Sequence, residues 1–172
     1  MRIAIATTAH TDDLIDLHCE LYEFYNPTTV AVRQTIRSHL FDTLLAAKSE
    51  LRIAMAINSD NAVIGIAAVH FVHSVVDPTP DGRKQCVLKE LFVRQAHRGR
   101  DTGRHLMQWV ARYALENGCG RIDWSVKASN VRGIAFYTKL GAHQVEDRIS
   151  YRLSRAGISA LSNNWPPAHI AA

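Results

Sequence analysis

Cysteine is scarce in this chain: three in 172 residues. Cys19, Cys86 and Cys119 are odd in number, far apart and in no metal-ligand spacing. That excludes a disulfide framework and a zinc site, so no metal is expected, and the thiols read as small buried hydrophobes in a reducing compartment. No apolar run is long enough to span a membrane. The opening residues alternate in polarity from Arg2 and show no basic-then-apolar leader. The expected location is the cytoplasm, with no membrane partner. Gly-x-Gly-x-x-Gly is absent after the first strand-like stretch, and no acidic residue stands where a ribose reader belongs, which argues against a Rossmann unit. Charge of one sign is also modest, at a formal +4. The densest basic cluster is the short stretch Arg94, Arg98, Arg100 and Arg104, which suits a few phosphates better than a duplex track. Nucleic acid is therefore not an expected partner.

What is present describes an ordinary globular protein, 47% hydrophobic and 21% charged. The length supports one domain with a real core. Neither a repeat nor a linker is visible, so the expectation is a single domain over residues 1–155 and a tail of uncertain order over 156–172. From Ser154 onward, including Trp165-Pro166-Pro167, the tail shows no clear periodicity.

Along the chain, Arg2 to Thr7 alternates as a strand. Thr11 is expected to cap a helix whose Asp12 and Asp13 complement its positive end. In that helix Leu14, Leu17, Leu21 and Tyr25 form an apolar stripe and Asp16, Glu20 and Glu23 an acidic one, until Asn26-Pro27 breaks it. A second helix is expected from about Thr29 to Lys48, burying Ile36, Leu40, Leu44 and Ala47. Leu51–Asn58 and Ala62–Val76 read as a hairpin around Ser59-Asp60-Asn61. The Pro-rich loop ending in Asp81-Gly82 turns the chain antiparallel into the strand that ends at Val93. A long helix with Leu106, Val110, Tyr113 and Ala114 on its buried face stops at Asn117-Gly118. A strand over Arg121–Val126, a helix over Val131–Leu140 and a last strand over Ile149–Leu153 complete the order. The pattern is α+β: a mixed, mostly antiparallel sheet flanked by helices, with one parallel crossover through the long helix.

The chemistry concentrates between Leu88 and Gly141. A strand feeds a basic, glycine-containing turn that opens a helix, a design that aims unbonded amides and a positive dipole end at an anion. The downstream block Asn130 to Ala142 strengthens that signal. Leu91-Phe92-Val93, then His97-Arg98-Gly99-x-x-x-Gly103-Arg104, then Asn130…Ala135-Phe136-Tyr137-x-x-Leu140-Gly141 together resemble the GNAT superfamily of acetyl-CoA-dependent N-acetyltransferases. The two blocks cover roughly the C-terminal half, and the N-terminal half agrees in element order only.

The resemblance implies the GNAT-like acyl-CoA N-acyltransferase fold and acetyl-CoA as cosubstrate. The backbone amides of Arg98, Gly99, Arg100, Asp101, Thr102, Gly103 and Arg104 would cradle the pyrophosphate. Leu91, Phe92 and Val93 would lend backbone hydrogen bonds to the amide-rich pantetheine arm, as a strand pairs with an open edge. Asn130 would bond the arm from the other side, with Phe136 in the same cofactor-binding block. Tyr137 would protonate the leaving thiolate, a task suited to a phenol of ordinary pKa about 10. The reaction implied is direct attack of a primary amine on the thioester. The acceptor would be a small-molecule amine, an amino-acid-like molecule or a protein amine, and the assembly a homodimer. Trp124-Ser125-Val126, Asn130 and Leu140-Gly141-Ala142 lean toward the diamine and small-amine branch.

One position departs from the family pattern. Asp101 stands where the turn usually has glycine. A like charge about 7 Å from the phosphates costs on the order of 0.6 kcal/mol in water and about 2 kcal/mol at an effective dielectric near 20. Either Asp101 turns outward or caps the long helix through Gly103 or Arg104 with cofactor binding kept, or binding weakens. The general base is less sharply marked. Glu90 is the candidate, provided that a bulge resets the strand alternation that otherwise sets it opposite Lys89. Lys89 and Ser125 occupy positions where some relatives carry glutamate, and His70 and His73 are secondary candidates. The acidic stripe of Asp16, Glu20 and Glu23 would either attract a cationic amine or be a solvated helix face. Asp101 and the unsettled base also keep open a non-catalytic acyl-CoA-binding or regulatory module on the same fold.

Overall fold

The computed structural model describes residues 1–163. It divides into two compact units, Met1–Asn130 and the residues from Val131 on.

The first unit is built on a five-stranded sheet in the order β1 (Arg2–Ile5), β2 (Arg52–Ile57), β3 (Val63–His73), β4 (Lys84–Val93) and β5 (Arg121–Asp123). Antiparallel pairing runs from β1 to β4, and β5 joins β4 in parallel. The central strands are buried on both faces, which explains their near-continuous apolar runs: Ile53 to Ile57 and Val63 to Val69 are all buried. The first helix, α1 (Thr11–Tyr25), sinks Leu14 and Leu17 completely into a core shared with Ile53, Met55, Ile66 and Phe92. Across the sheet, α3 (Thr102–Glu116) buries Leu106, Met107, Val110 and Ala114, and Tyr113 stacks on Phe71. Its stop is the expected one, with Asn117 as C-cap and Gly118 at φ 70.

Register in β4 positions the functional groups. Val69 pairs with Leu88 and Ala68 with Glu90, so Lys89 is an extra residue bulged out of the ladder. Before the bulge, the Ser74 amide bonds Arg83 O and the Gly120 amide bonds Lys84 O. That phase turns the backbone groups of Lys84, Cys86 and Leu88 toward β5. Beyond the bulge the Arg94 amide bonds Ile64 O, and the phase is reversed: the outward groups belong to Leu91 and Val93. Side chains switch as well. Cys86 and Leu88 share the α3 face with Phe71, whereas Glu90 and Phe92 share the α1 face with Ala68 and Ile66.

Three expectations are corrected in this unit. Thr11 does not cap α1: its hydroxyl donates to Thr8 O, and the N-cap residue is His10. The second helix is far shorter than Thr29–Lys48. It is α2 (Arg33–Ser38), running into a π-helical turn over His39–Leu44 that Leu45 N–H closes on Leu40 O. Thr28-Thr29-Val30 and Val32 are β-branched and resist helix, and the Ala31 amide is held by the Glu23 carboxylate at 3.1 Å. β5 ends at Asp123 rather than Val126.

The second unit holds α4 (Val131–Lys139) and α5 (Arg155–Asn163). Gly141, at φ 88, ends α4. Ala142 N–H bonds Tyr137 O and Gly141 N–H bonds Thr138 O, the paired bonds of a Schellman stop. Ile149–Leu153 is not a strand. Alternation forms a ladder only where an edge is available, and the described part of this unit holds helices alone. Ile149, Tyr151 and Leu153 are correspondingly exposed. Part of the tail is ordered as α5, whose start Ser154 caps by accepting from Gly157 N–H at 3.2 Å. Trp165-Pro166-Pro167 lies outside the described residues.

Candidate active site

Two left-handed residues shape the turn between β4 and α3. Gly99 has φ 77 and Asp101 has φ 58. Among residues with a Cβ, Asp and Asn tolerate this region best, which explains how aspartate stands in a glycine position. Its carboxylate makes no capping bond to α3, is largely exposed and lies 3.6 Å from Arg104 Nε. The outward reading holds and the capping reading does not. The first ladder bond of α3 runs from His105 N–H to Asp101 O, 2.9 Å. The amides of Thr102, Gly103 and Arg104 therefore precede the ladder and point out of the helix start.

The basic cluster is less available than its sequence suggests. Arg94 is a structural clamp: Nε donates to Val63 O and Nη2 to Asp13 O, both at 2.9 Å, with Glu20 at 3.8 Å. Arg98 turns back on the sheet. Its Nε donates to Val93 O at 2.9 Å, and its guanidinium lies 5.2 Å from the Phe24 ring and 5.4 Å from Phe92. The Arg98 amide itself bonds Gln95 O. What remains directed at an anion is the run from Gly99 to Arg104, with Arg100 and Arg104 as exposed side chains.

Removing Asp101 tests this geometry. Asp101→Gly is expected to shift acetyl-CoA affinity by less than about threefold in calorimetric titration, because the carboxylate is solvent-exposed and its charge is offset by Arg104. A carboxylate reaching the phosphates at a cost of about 2 kcal/mol would instead give roughly 30-fold tightening on its removal.

Glu90 stands just past the bulge, partly buried. Its Oε1 accepts from the Tyr25 hydroxyl at 3.3 Å and from the Leu91 amide at 3.1 Å. Burial raises its pKa above the ordinary carboxylate value, against the opposing pull of those two hydrogen bonds. Burial, then the nearby Glu90 charge, pushes Tyr25 up to about 12. Lys127 Nζ lies 5.1 Å from the centre of the Tyr25 ring. Among the described residues, β4 has no strand partner on its β5 side beyond Val87, since the parallel pairing covers Gln85–Val87. Of the outward groups on that open edge, Leu91 N–H is bonded to Glu90 and Val93 O to Arg98. Leu91 C=O and Val93 N–H are the ones the ladder leaves for an amide-rich ligand.

Other expected residues fall elsewhere. Lys89 and Ser125 are exposed. His70 pairs with Val87 and His73 with Lys84, along the half of β4 before the bulge. The acidic stripe is spent on the chain itself: Asp16 on Arg33, Glu20 on the Gln95 amide and Glu23 on the Ala31 amide. Asn130 closes a turn on Lys127 O at 2.8 Å. In the second unit, Phe136 and Tyr137 lie next to one another on α4 with ring centroids 5.2 Å apart. Among the described residues, no group of three or more metal-ligating side chains converges, and no helix is long and apolar enough to cross a membrane. The sequence reading missed Tyr25, Phe24 and Lys127. Tyr25 was absorbed into an apolar stripe, and the overlooked signal was a hydroxyl-bearing aromatic on the last turn before Asn26-Pro27.

Residues 18–142 match the model of the Acetyltransferase (GNAT) family. An L-ornithine N5-acetyltransferase of Arabidopsis thaliana is 31% identical over 74 residues, 43% of this chain and 32% of the relative. The chain spans less than half the length of the curated relatives it matches. Among solved structures, an integron cassette protein from the mobile metagenome of V. cholerae superposes with TM-score 0.83 at 27% identity, covering 94% of this chain and 96% of that one. An aminoglycoside N-acetyltransferase in complex with CoA shares the fold, with TM-score 0.64 and 20% identity over 89% of this chain and 99% of that one.

Proposed function

The chain belongs to the GNAT family of acetyltransferases, and from that premise we propose that it transfers the acetyl group of acetyl-CoA to the primary amine of a small acceptor by direct attack. The observation that carries this reading is the bulge at Lys89. One extra residue turns Glu90 to the α1 face beside the stretch of β4 that β5, ending at Asp123, leaves uncovered, a few residues before the α3 amides that suit a pyrophosphate. Bound acetyl-CoA would supply an activated thioester carbonyl. The chain's part is to seat it and to move protons. The amides from Gly99 to Arg104 hold negative charge at the positive end of α3, and Leu91 C=O with Val93 N–H pairs the arm. Glu90 takes a proton from the acceptor's ammonium group, and the neutral amine so formed attacks the thioester carbonyl. Its raised pKa brings it nearer the working pH than an ordinary carboxylate. Tyr137, carried by the second motif block, is the proposed acid for the departing thiolate.

An amine acceptor is supported by relatives named for ornithine and for aminoglycosides. Calorimetric titration with acetyl-CoA, followed by thiol release over a panel of amino acids, diamines, aminoglycosides and N-terminal peptides, tests the proposal. Saturable binding with thiol release on at least one amine is expected. Binding with no transfer across the panel would instead favour a non-catalytic acyl-CoA module.

A further inference from the structure

The last turn of α1 lies against Glu90, and nothing in the two motif blocks accounts for it. Tyr25 is the final residue of that helix and is contacted by several neighbours while staying partly exposed. Asn26 caps it with a backbone amide and a side-chain amide, both bonded to Tyr22 O at 2.9 Å. The Phe24 ring meets Tyr25 edge-on at 5.3 Å, and Phe24 leans on Phe92 at 5.9 Å. Lys127 covers the Tyr25 ring at 5.1 Å. Tyr25 remains partly exposed, and these contacts direct its hydroxyl to Glu90 Oε1 at 3.3 Å.

We propose that Tyr25 is a positioning residue for Glu90: its hydroxyl and the Leu91 amide together hold one carboxylate oxygen, so that the other is presented to the acceptor amine. The proposal rests on the reading of Glu90 as base. Two donors on Oε1 fix the plane of the carboxylate, whereas the Leu91 amide alone leaves it free to swing. Tyr25 stays a donor at any working pH, since burial pushes it up to about 12. It also joins the base to the cofactor turn, because Phe24 beside it carries the Arg98 guanidinium at 5.2 Å. The titratable and charged groups around the carboxylate are Tyr25 from α1, Lys127 beyond the Tyr25 ring, and exposed Lys89 in the bulge.

Tyr25→Phe keeps the ring and its packing and removes only the hydroxyl. Expected is a fall in kcat of about tenfold, with acetyl-CoA affinity and the melting curve unchanged. The acid limb of kcat/KM should move to higher pH, because a bond that favours the carboxylate is lost. In a Glu90→Gln background the same change should alter the rate less than twofold. Equal losses in both backgrounds, or an unmoved acid limb, would overturn the assignment. The ¹³C titration of the Glu90 carboxyl separates the two layers of the argument. An upward shift in Tyr25→Phe while Glu90→Gln retains full rate sinks the base and leaves the hydrogen bond real. No shift sinks the positioning role whatever the base.

Discussion

Replacing Glu90 with glutamine is expected to lower kcat/KM by about 10²- to 10³-fold, the span of a general base in proton transfer. Glutamine has the shape of glutamate, and its carbonyl oxygen can accept from the Leu91 amide and the Tyr25 hydroxyl as Oε1 does. It cannot take a proton. Acetyl-CoA titration should therefore be unaltered while turnover collapses. The pH profile sharpens the test. Burial raises the pKa of Glu90, so wild-type kcat/KM should fall as pH drops through a value above the usual carboxylate range. Glu90→Gln should lose that limb. Stability follows the same shift with opposite sense. A carboxyl with a raised folded pKa binds more protons folded than unfolded, so its contribution weakens as pH rises through that interval. Glu90→Gln should consequently melt no lower than wild type at neutral pH. A rate within threefold of wild type would move the base elsewhere, to a histidine or a water chain.

Tyr137→Phe is the second large effect, a fall in kcat of about 10²-fold from loss of the proposed acid. Phenylalanine keeps the ring against Phe136. It also leaves the α4 stop intact, because the bonds there are made by the Tyr137 carbonyl, which accepts from Leu140 and Ala142. A stopped-flow comparison of acceptors with fast and slow chemistry would show whether the loss is in the transfer step. A variant that keeps its rate at every pH would remove Tyr137 from the mechanism and leave the thiolate to solvent.

Much of this was legible in the sequence. The hairpin at Ser59-Asp60-Asn61 and the long helix with its Asn117-Gly118 stop follow from local chemistry: an Asn at φ 62 and a Gly at φ 70. The second helix was over-read because its apolar spacing continues through β-branched residues that the backbone keeps extended. Ile149–Leu153 was misread for a different reason, since alternation records a side-chain pattern and not the presence of a neighbouring edge. At the site, the fates of Arg94, Arg98 and the acidic stripe could not be read from charge alone. Arg94 and Glu20 find backbone partners far along the chain, Val63 O and the Gln95 amide, while Arg98, Glu23 and Asp16 turn to nearer ones, Val93 O, the Ala31 amide and Arg33. Tyr25 escaped for the same reason, its partner lying 65 residues away.

Lys89 makes β4 two half-strands out of step by half a period, much as a dislocation lets two lattices meet with a slip between them. Substitution patterns on either side of it obey opposite parity. Upstream, Cys86 and Leu88 pack toward α3; downstream, Glu90 and Phe92 face α1. Any comparison of variants that treats the strand as one periodic object will assign half of it to the wrong surface. The phase of Glu90 is thus set by the insertion at Lys89.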